Sequence, residues 1–179
     1  MPRDTHLALL RGINVGGKNK VEMPRLRSVF EGLGYTNVET YINTGNVIFT
    51  ADGAPDPAPI EQAILDEFAL EIPVLVRTSE QVATVIEALP DDWQNDERMK
   101  CDVMFLWDDV DDPSIVGQLD CKPGIDDVRY VPGALLWKVD RPNLNRSGMR
   151  KIVGSRLYRS MTVRNVNTVR KLANLMDQT

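Results

Sequence analysis

Residues 37–50 read NVETYINTGNVIFT, and this stretch decides how the chain folds. Residues 37–42 and 47–50 are two runs rich in β-branched and aromatic side chains, which favour strands. They are separated by Asn43-Thr44-Gly45-Asn46, a combination typical of a tight turn between antiparallel strands. The stretch therefore predicts a β-hairpin.

The hairpin has a strand and a helix on each side of it. Residues 5–11 predict a strand before the hairpin, and residues 73–78 predict a strand after it. Apolar residues at helical spacing predict one helix between each of these strands and the hairpin: Met23, Leu26, Phe30 and Leu33 in the first, and Ile60, Ile64 and Phe68 in the second. The order is therefore β-α-β-β-α-β.

The same order repeats in the second half. Strands are predicted at residues 102–107, 126–131, 135–139 and 161–164, with a short helix after Pro113, a second helix carrying Met149, Ile152 and Val153, and a final helix carrying Val166, Val169, Leu172 and Met176. Two such passes predict an α+β protein with two tandem ferredoxin-like (βαββαβ, α/β-plait) domains and a C-terminal helix. The expected ranges are 1–78 for the first domain, 79–100 for a connecting helix and linker, and 101–179 for the second.

This topology predicts which loops meet. A crossover helix makes the first two strands run in the same direction, so the end of the first strand lies beside the hairpin turn. Residues 11–20 should then lie beside residues 43–46, and residues 141–143 should lie beside Arg164 and Asn165.

The bulk properties limit the function classes. The chain has 179 residues, 42% of them hydrophobic, and a net charge of −5, which argues against nucleic-acid or membrane binding by the whole surface. The longest apolar run near the N-terminus is too short for a signal peptide or a membrane span, and the two cysteines form no motif, so a cytoplasmic location is expected. The single histidine, His6, alternates with Leu7 and Leu9 and is expected at the surface.

A glycine-rich loop follows the first strand. In LRGINVGGKNK (residues 10–20), Gly12, Gly17 and Lys18 fit the beginning of a phosphate-binding P-loop. Asn19 stands where a P-loop needs a hydroxyl for magnesium, and Pro24 prevents the helix from beginning at Lys18. We therefore expect a loop that is not a nucleotide-hydrolysing P-loop but offers open amides and the cations Arg11, Lys18 and Lys20 to an anion. A glycine-rich connection with solvated lysines is the alternative.

The sequence LLRGINVGGKNKVEMPRLRSVFEGLGYTNVETYINTGNVIF and the later MTVRNVNTVRKL resemble the two signatures of the bacterial family catalogued as domain of unknown function 1697. The resemblance implies a pair of ferredoxin-like domains and no established activity. The chain departs from the family pattern at Thr44, Val166 and Gly148, where the family usually has Ser, Trp and Lys, so no lysine or tryptophan role is carried over there. The signature positions, taken as candidate ligand-binding residues, are Arg11, Gly12, Asn14, Gly16, Gly17, Lys18, Asn19, Gly45, Asn46, Arg164, Asn165, Asn167 and Thr168.

The late part of the chain carries a second polar cluster. Residues 141–176 contain nine basic residues and no acidic one. Asn165 is expected to cap the last helix, whose open amides, with Arg164, Asn167 and Thr168, suit a phosphate or carboxylate. The alternative is that Asn165 only caps and the arginines balance the acidic middle of the chain. The hypothesis is that both clusters act on one anionic or phosphorylated small molecule in an interdomain cleft.

Other chemistry has less support in the sequence. The acidic run at residues 108–112 lacks the ligand rhythm of a calcium loop, and Asp112 is expected to cap a helix. No nucleophile elbow or cysteine–histidine pair is present, so a catalytic residue, a cofactor and a reaction are not indicated. The alternative functions are RNA or nucleic-acid binding, for which Phe105, Trp107 and Trp137 offer a weak stacking pattern, and a regulatory interaction module.

Overall fold

Eight β-strands in two four-stranded sheets form the framework of residues 3–179. The computed structural model describes residues 3–179. The chain divides into two compact units: the first contains the residues up to Val82 together with Leu172–Thr179, and the second contains Ala83–Lys171.

The first sheet contains the strands predicted on both sides of the NTGN turn. The elements are β1 (Arg3–Leu10), α1 (Met23–Gly32), β2 (Thr36–Thr40), β3 (Asn46–Asp52), α2 (Pro57–Phe68) and β4 (Val74–Thr78), followed by α3 (Ser79–Ala88). The strand order is β2-β3-β1-β4, and every neighbouring pair is antiparallel. β1 and β2 therefore run in the same direction, as the crossover predicted.

The second sheet has the same arrangement. Its elements are β5 (Met99–Leu106), a 3-10 helix (Pro113–Gln118), β6 (Asp126–Val131), β7 (Ala134–Asp140), three 3-10 helices (Arg141–Arg146, Gly148–Gly154 and Leu157–Ser160), β8 (Met161–Asn165) and α4 (Val166–Asp177). The order is β6-β7-β5-β8, again antiparallel throughout. β7 and β8 both end near the start of β5, because Met99 pairs with Asp140 and Asp102 pairs with Asn165.

Each unit has its own apolar core. In the first, Leu26 and Phe30 of α1 and Ile60 and Ile64 of α2 are fully buried against one face of the sheet, together with Phe49. The Phe30 and Phe49 rings meet edge to face, with centroids 5.3 Å apart. Burial of each such ring contributes about 1.5–3 kcal/mol, so these helical positions hold the helices on the sheet.

The helices of the second unit differ from the prediction. The segments after Pro113 and around Met149 and Ile152 were expected as helices, and both are 3-10 helices of six and seven residues. Gly148 and Gly154 bound the second segment, and glycine in a helix costs about 1 kcal/mol relative to alanine. A short segment with glycine at both ends gains little stability from α-helical hydrogen bonds. It forms a 3-10 helix that packs Met149 and Ile152 into the core.

The expectation for His6 was wrong in one respect. The side chain does point away from Leu7 and Leu9, but it is only 1% exposed and lies against Phe49, with ring centroids 5.6 Å apart. β1 is a central strand whose two faces are both covered, so alternation along it does not imply exposure. Burial lowers the pKa of His6 below its usual value, against the raising effects of Asp4 and the Gly53 backbone.

One carboxylate fixes the 3-10 segment onto the second sheet. Asp126 at the start of β6 accepts hydrogen bonds from the Ser147 hydroxyl, the Gly148 amide (2.8 Å), the Lys122 amide (2.9 Å) and Trp137 Nε1 (3.1 Å). Burial alone would raise the pKa of Asp126, but these donors stabilise the anion and hold the pKa below its usual range.

Replacing this carboxylate should make the second unit less stable and less sensitive to acid. Because the folded pKa of Asp126 is depressed, its contribution is present above the unfolded pKa of about 3.9 and is lost as pH falls through the folded pKa. We expect Asp126→Asn to lower the free energy of unfolding near neutral pH by about 2–4 kcal/mol. Urea unfolding between neutral and acid pH measures both effects.

Asp91→Asn, at an exposed position, is the control and should leave the pH dependence unchanged. If Asp126→Asn keeps the full acid dependence of the native protein, the proposed role of this carboxylate is wrong.

Candidate functional site

The glycine-rich loop of the first unit folds as a miniature hairpin. Val15 and Lys18 form an isolated antiparallel bridge, and the Lys18 amide donates to the Val15 carbonyl at 3.0 Å. Gly16 and Gly17, between them, have φ values of 58° and 74°, the two positive angles that a two-residue type I′ turn requires. These glycines are thus needed for a turn. α1 begins only at Met23, so no helix N-terminus follows Lys18 as it would in a P-loop.

Two asparagines brace this hairpin. Asn14 Nδ2 donates to the carbonyls of Val21 (3.0 Å) and Asn43 (2.7 Å), and Asn14 Oδ1 accepts from the Val21 amide (2.9 Å). Asn19 Nδ2 donates to the Gly12 carbonyl at 2.9 Å. Both residues have positive φ, which asparagine tolerates. Asn14, a candidate ligand-binding residue, therefore has both amide hydrogens engaged within the protein.

The second loop lies against the first, as the topology predicted. The Leu10 amide donates to the Gly45 carbonyl at 2.8 Å, and a Cβ on Gly45 would lie 2.7 Å from Leu10 Cβ, so only glycine fits here. Asn46 is fully buried, and its Nδ2 donates to the Tyr41 carbonyl and the Thr44 hydroxyl. We refer to residues 11–20 and 41–46 as the paired loops.

The paired loops contain a strained residue. Ile42 has φ of 49° and is 46% exposed. A β-branched residue in the left-handed region is an outlier that costs on the order of 1–3 kcal/mol. The strain persists because Asn14 and Asn46 fix the loop on both sides of it.

The outer surface of the paired loops is cationic and partly apolar. Lys18 and Lys20 are exposed, and neither forms an ion pair with a carboxylate of residues 3–179. Val15, beside them, is 66% exposed. Arg11 is half-buried, and its amide donates to the Pro73 carbonyl. Gly12, Gly16 and Gly17 are also exposed.

In the second unit, the predicted cluster is mostly committed to the fold. Arg164 is 7% exposed, and its Nη1 donates to the Thr162 hydroxyl and the Val163 carbonyl, both at 2.9 Å. Burial lowers the pKa of Arg164 to about 10. Asn165 caps α4, because its Oδ1 accepts from the Thr168 amide at 3.0 Å. Thr168 is itself buried, at 7% exposure.

Asn167 and Arg141 meet at a loop that the sequence interpretation missed. Asn167 exchanges two hydrogen bonds with the backbone of Asn95, donating to its carbonyl (2.9 Å) and accepting from its amide (3.3 Å). Arg141 Nε donates to the Asp96 carbonyl at 2.9 Å. Arg141 therefore lies at the same edge of the second sheet as Arg164 and Asn165, as predicted, and residues 95–96 lie at this edge too. Asn95, between Gln94 and Asp96, gave no signal in the sequence.

A buried arginine in the first unit was also missed. Arg77 on β4 is 7% exposed, its Nη1 donates to the preceding carbonyl, and Thr78 caps α3 by accepting from the Gln81 amide at 3.1 Å. Arg164 and Asn165 repeat this pattern at the end of β8. The sequence signal was the repetition of Val-Arg before a capping residue, VRT at 76–78 and VRN at 163–165.

The three residues that depart from the family pattern lie in different local environments. Thr44 supplies the hydroxyl that accepts from Asn46. A Cβ on Gly148 would lie 1.3 Å from the Asp120 carbonyl oxygen, so a lysine does not fit there. Val166 is fully buried at the first turn of α4.

Other sequence candidates also serve the fold. In the acidic run, Asp112 caps the 3-10 helix through the Ser114 amide (2.8 Å), and Asp111 accepts from Tyr130 (2.8 Å) and Gly133 (2.9 Å). Cys101 is buried, and desolvation raises its pKa to about 11, which disfavours a reactive thiolate.

The stacking surface expected of an RNA reader is closed. Phe105 is 1% exposed and Trp137 is 4% exposed, while Trp107 is half-buried. Bases cannot stack on rings buried in the sheet, so these aromatics do not support nucleic-acid binding.

A surface pocket of about 560 Å³ lies beside α2, and Pro73 in its lining accepts a hydrogen bond from the Arg11 amide at the base of the paired loops. Its lining includes Glu61 and Glu71. Two carboxylates disfavour an anionic ligand, so this pocket does not compete with the paired loops as an anion site.

The fold and these loops define an α+β protein with two four-stranded antiparallel sheets and a C-terminal helix. Residues 3–137 match the family described as Protein of unknown function (DUF1697), and the chain belongs to this family. Among solved structures, it is similar to the conserved bacterial protein SP0830 from Streptococcus pneumoniae, with 26% identity and a TM-score of 0.83 over 98% of this chain and 99% of that one. No curated protein matches. None of the helices within residues 3–179 is long and apolar enough to cross a membrane.

Asn14→Ala should loosen the paired loops. It removes three hydrogen bonds and places alanine at positive φ, so we expect the protection of the Val21 amide against hydrogen exchange to fall by about 2–3 kcal/mol. Asn14→Asp, which keeps the acceptor for that amide, should lose less. Hydrogen exchange of the Val21 amide, measured by NMR, distinguishes the two variants. Equal protection in both variants would show that Asn14 does not brace the loop.

Proposed function

We propose that the chain binds an anionic or phosphorylated small molecule at the paired loops of its first unit. The observation that carries the proposal is the exposure of Lys18 and Lys20, without any carboxylate partner in residues 3–179, on a hairpin that Asn14 and Asn19 hold in place. A phosphate or carboxylate group of a ligand would supply negative charge and hydrogen-bond acceptors to these two ammonium groups.

Preorganisation supports a binding role. Of the thirteen residues with positive φ in the described chain, seven lie in the paired loops: Gly12, Asn14, Gly16, Gly17, Asn19, Ile42 and Gly45. Strained backbone held by its surroundings concentrates at functional sites. A loop that is already ordered spends little conformational entropy when a ligand binds.

The exposed apolar residues narrow the class of ligand. Val15 is 66% exposed and Ile42 is 46% exposed, and both belong to the paired loops. A ligand that places an apolar or ring portion beside its anionic group would contact both kinds of surface. An inorganic anion alone would use only the lysines.

Only some of the signature residues are proposed to contact the ligand. Asn14, Asn19, Asn165 and Asn167 direct their side chains to backbone groups, and Arg164 is buried, so these residues shape the loops. The exposed cations of the paired loops are Lys18 and Lys20.

We also infer that both units are ferredoxin-like. In its favour are the orders β2-β3-β1-β4 and β6-β7-β5-β8, which follow from two crossovers around a central hairpin. In the second unit the crossovers are 3-10 helices, so that unit would be a variant of the fold.

A paired lysine variant tests the site. Lys18→Ala/Lys20→Ala should weaken binding of a phosphorylated ligand by about tenfold to a hundredfold per lysine, because each loses a charge-assisted hydrogen bond. Thermal-shift screening with inorganic phosphate and a panel of phosphorylated metabolites finds the ligand, and calorimetry measures the affinity.

Lys171→Ala is the matched control, since Lys171 is also exposed, and it should bind like the native protein. A flat screen, or equal loss in the control, would contradict the proposal.

A further inference from the structure

The crossover between β7 and β8 carries unusual charge. Residues 141–160, which we call the arginine segment, contain six basic residues and no acidic one, within a chain of net charge −5. Five of the six are arginines. A stretch of one sign in an acidic protein sets up a local positive potential that the rest of the sequence does not predict.

Four of these arginines remain without a counter-charge. Arg146, Arg150, Arg156 and Arg159 are exposed, and none forms an ion pair with a carboxylate of residues 3–179. Arg146 and Arg150 contact only the neutral side chains or backbone of Asn143 and Asn145. Their charges are therefore available to a ligand.

The nearby carboxylates are already engaged. Asp120 lies between Lys122 (2.8 Å) and Lys151 (2.7 Å), which lower its pKa to about 2. Asp109, near the end of the segment, accepts from the Ser160 hydroxyl at 2.9 Å and keeps its negative charge. Two lysines share one aspartate, so this neighbourhood adds positive charge.

The segment is fixed in place by its apolar side. Met149 and Ile152 are buried in the core of the second unit, and Leu144 and Leu157 pack at its border. Asp126 holds Ser147 and Gly148. In a 3-10 helix, residues three apart lie on one side, so burial of Met149 and Ile152 turns Arg150 and Val153 outward.

The spacing of the cations suits an extended polyanion. Arg156 and Arg159 are three residues apart in one 3-10 turn, joined by a 3.3 Å backbone hydrogen bond, and so lie about 6 Å apart along the axis. The four arginines lie within fourteen residues of the sequence, and four guanidinium groups are more than a single phosphate would use. Arginine also matches phosphate with two parallel hydrogen bonds, which lysine does not.

We propose that the arginine segment binds the phosphodiester backbone of nucleic acid without reading its sequence. This surface is separate from the buried strand aromatics and does not depend on the paired loops. Binding rests on charge and is therefore salt-dependent, with a dissociation constant of about 1–100 μM near physiological salt.

The test is fluorescence anisotropy with labelled single-stranded RNA and single-stranded DNA of about 20 nucleotides, compared across salt concentrations. With these single-stranded probes, four phosphate contacts predict a slope of log K against log salt of about −3. Comparing the affinities for RNA and for DNA shows which of the two nucleic acids the arginine segment binds more tightly. Arg146→Gln/Arg150→Gln/Arg156→Gln/Arg159→Gln should weaken binding by about a hundredfold near 0.1 M salt.

The matched control neutralises four exposed arginines that already have carboxylate partners: Arg3, Arg27, Arg98 and Arg129. It changes the net charge equally and should retain native binding. Circular dichroism and the thermal midpoint verify folding of each variant. No binding at low salt, equal loss in the control, or equally tight binding of polyglutamate would overturn the proposal.

Discussion

The loops of this protein depend on asparagine side chains that stand in for backbone hydrogen-bonding groups. An asparagine amide offers both donors and an acceptor, and the residue tolerates the left-handed backbone region. Asn14 uses these properties to connect the glycine hairpin, the segment before α1 and the turn before β3. Asn167 does the same for residue 95. Without these bonds, the sheets would hold only the ends of the loops.

A buried or half-buried charge plays the corresponding part in the second unit. Asp126 accepts four hydrogen bonds and thereby decides where the segment after β7 lies on the core. Because Gly148–Gly154 is short, bounded by glycine and held at one side, Arg150 is directed to solvent. The same anchor therefore links the stability of the second unit to the charge distribution on its surface.

Local patterns predicted most of the framework. The NTGN turn, the apolar spacing of α1 and α2, and the alternating runs of β5 to β8 each reflect a periodicity that the backbone imposes. The repetition of these patterns predicted the order of strands. The helix type after β7 was not predictable, because apolar residues three apart fit a 3-10 turn as well as an α-helix, and the contact of Gly148 with Asp120 is not local.

The sequence by itself determined the two β-rich repeats, the meeting of residues 11–20 with 43–46, and the excess of positive charge after residue 140, because periodicity, crossover geometry and charge are properties of the chain. Only the tertiary structure decided that His6 and Arg164 are buried and that Asn14 and Asn167 bind backbone groups. It also decided that Lys18, Lys20 and four arginines have no acidic partner within residues 3–179. Exposure and pairing depend on which distant segments pack around a side chain, and a linear pattern does not contain that information.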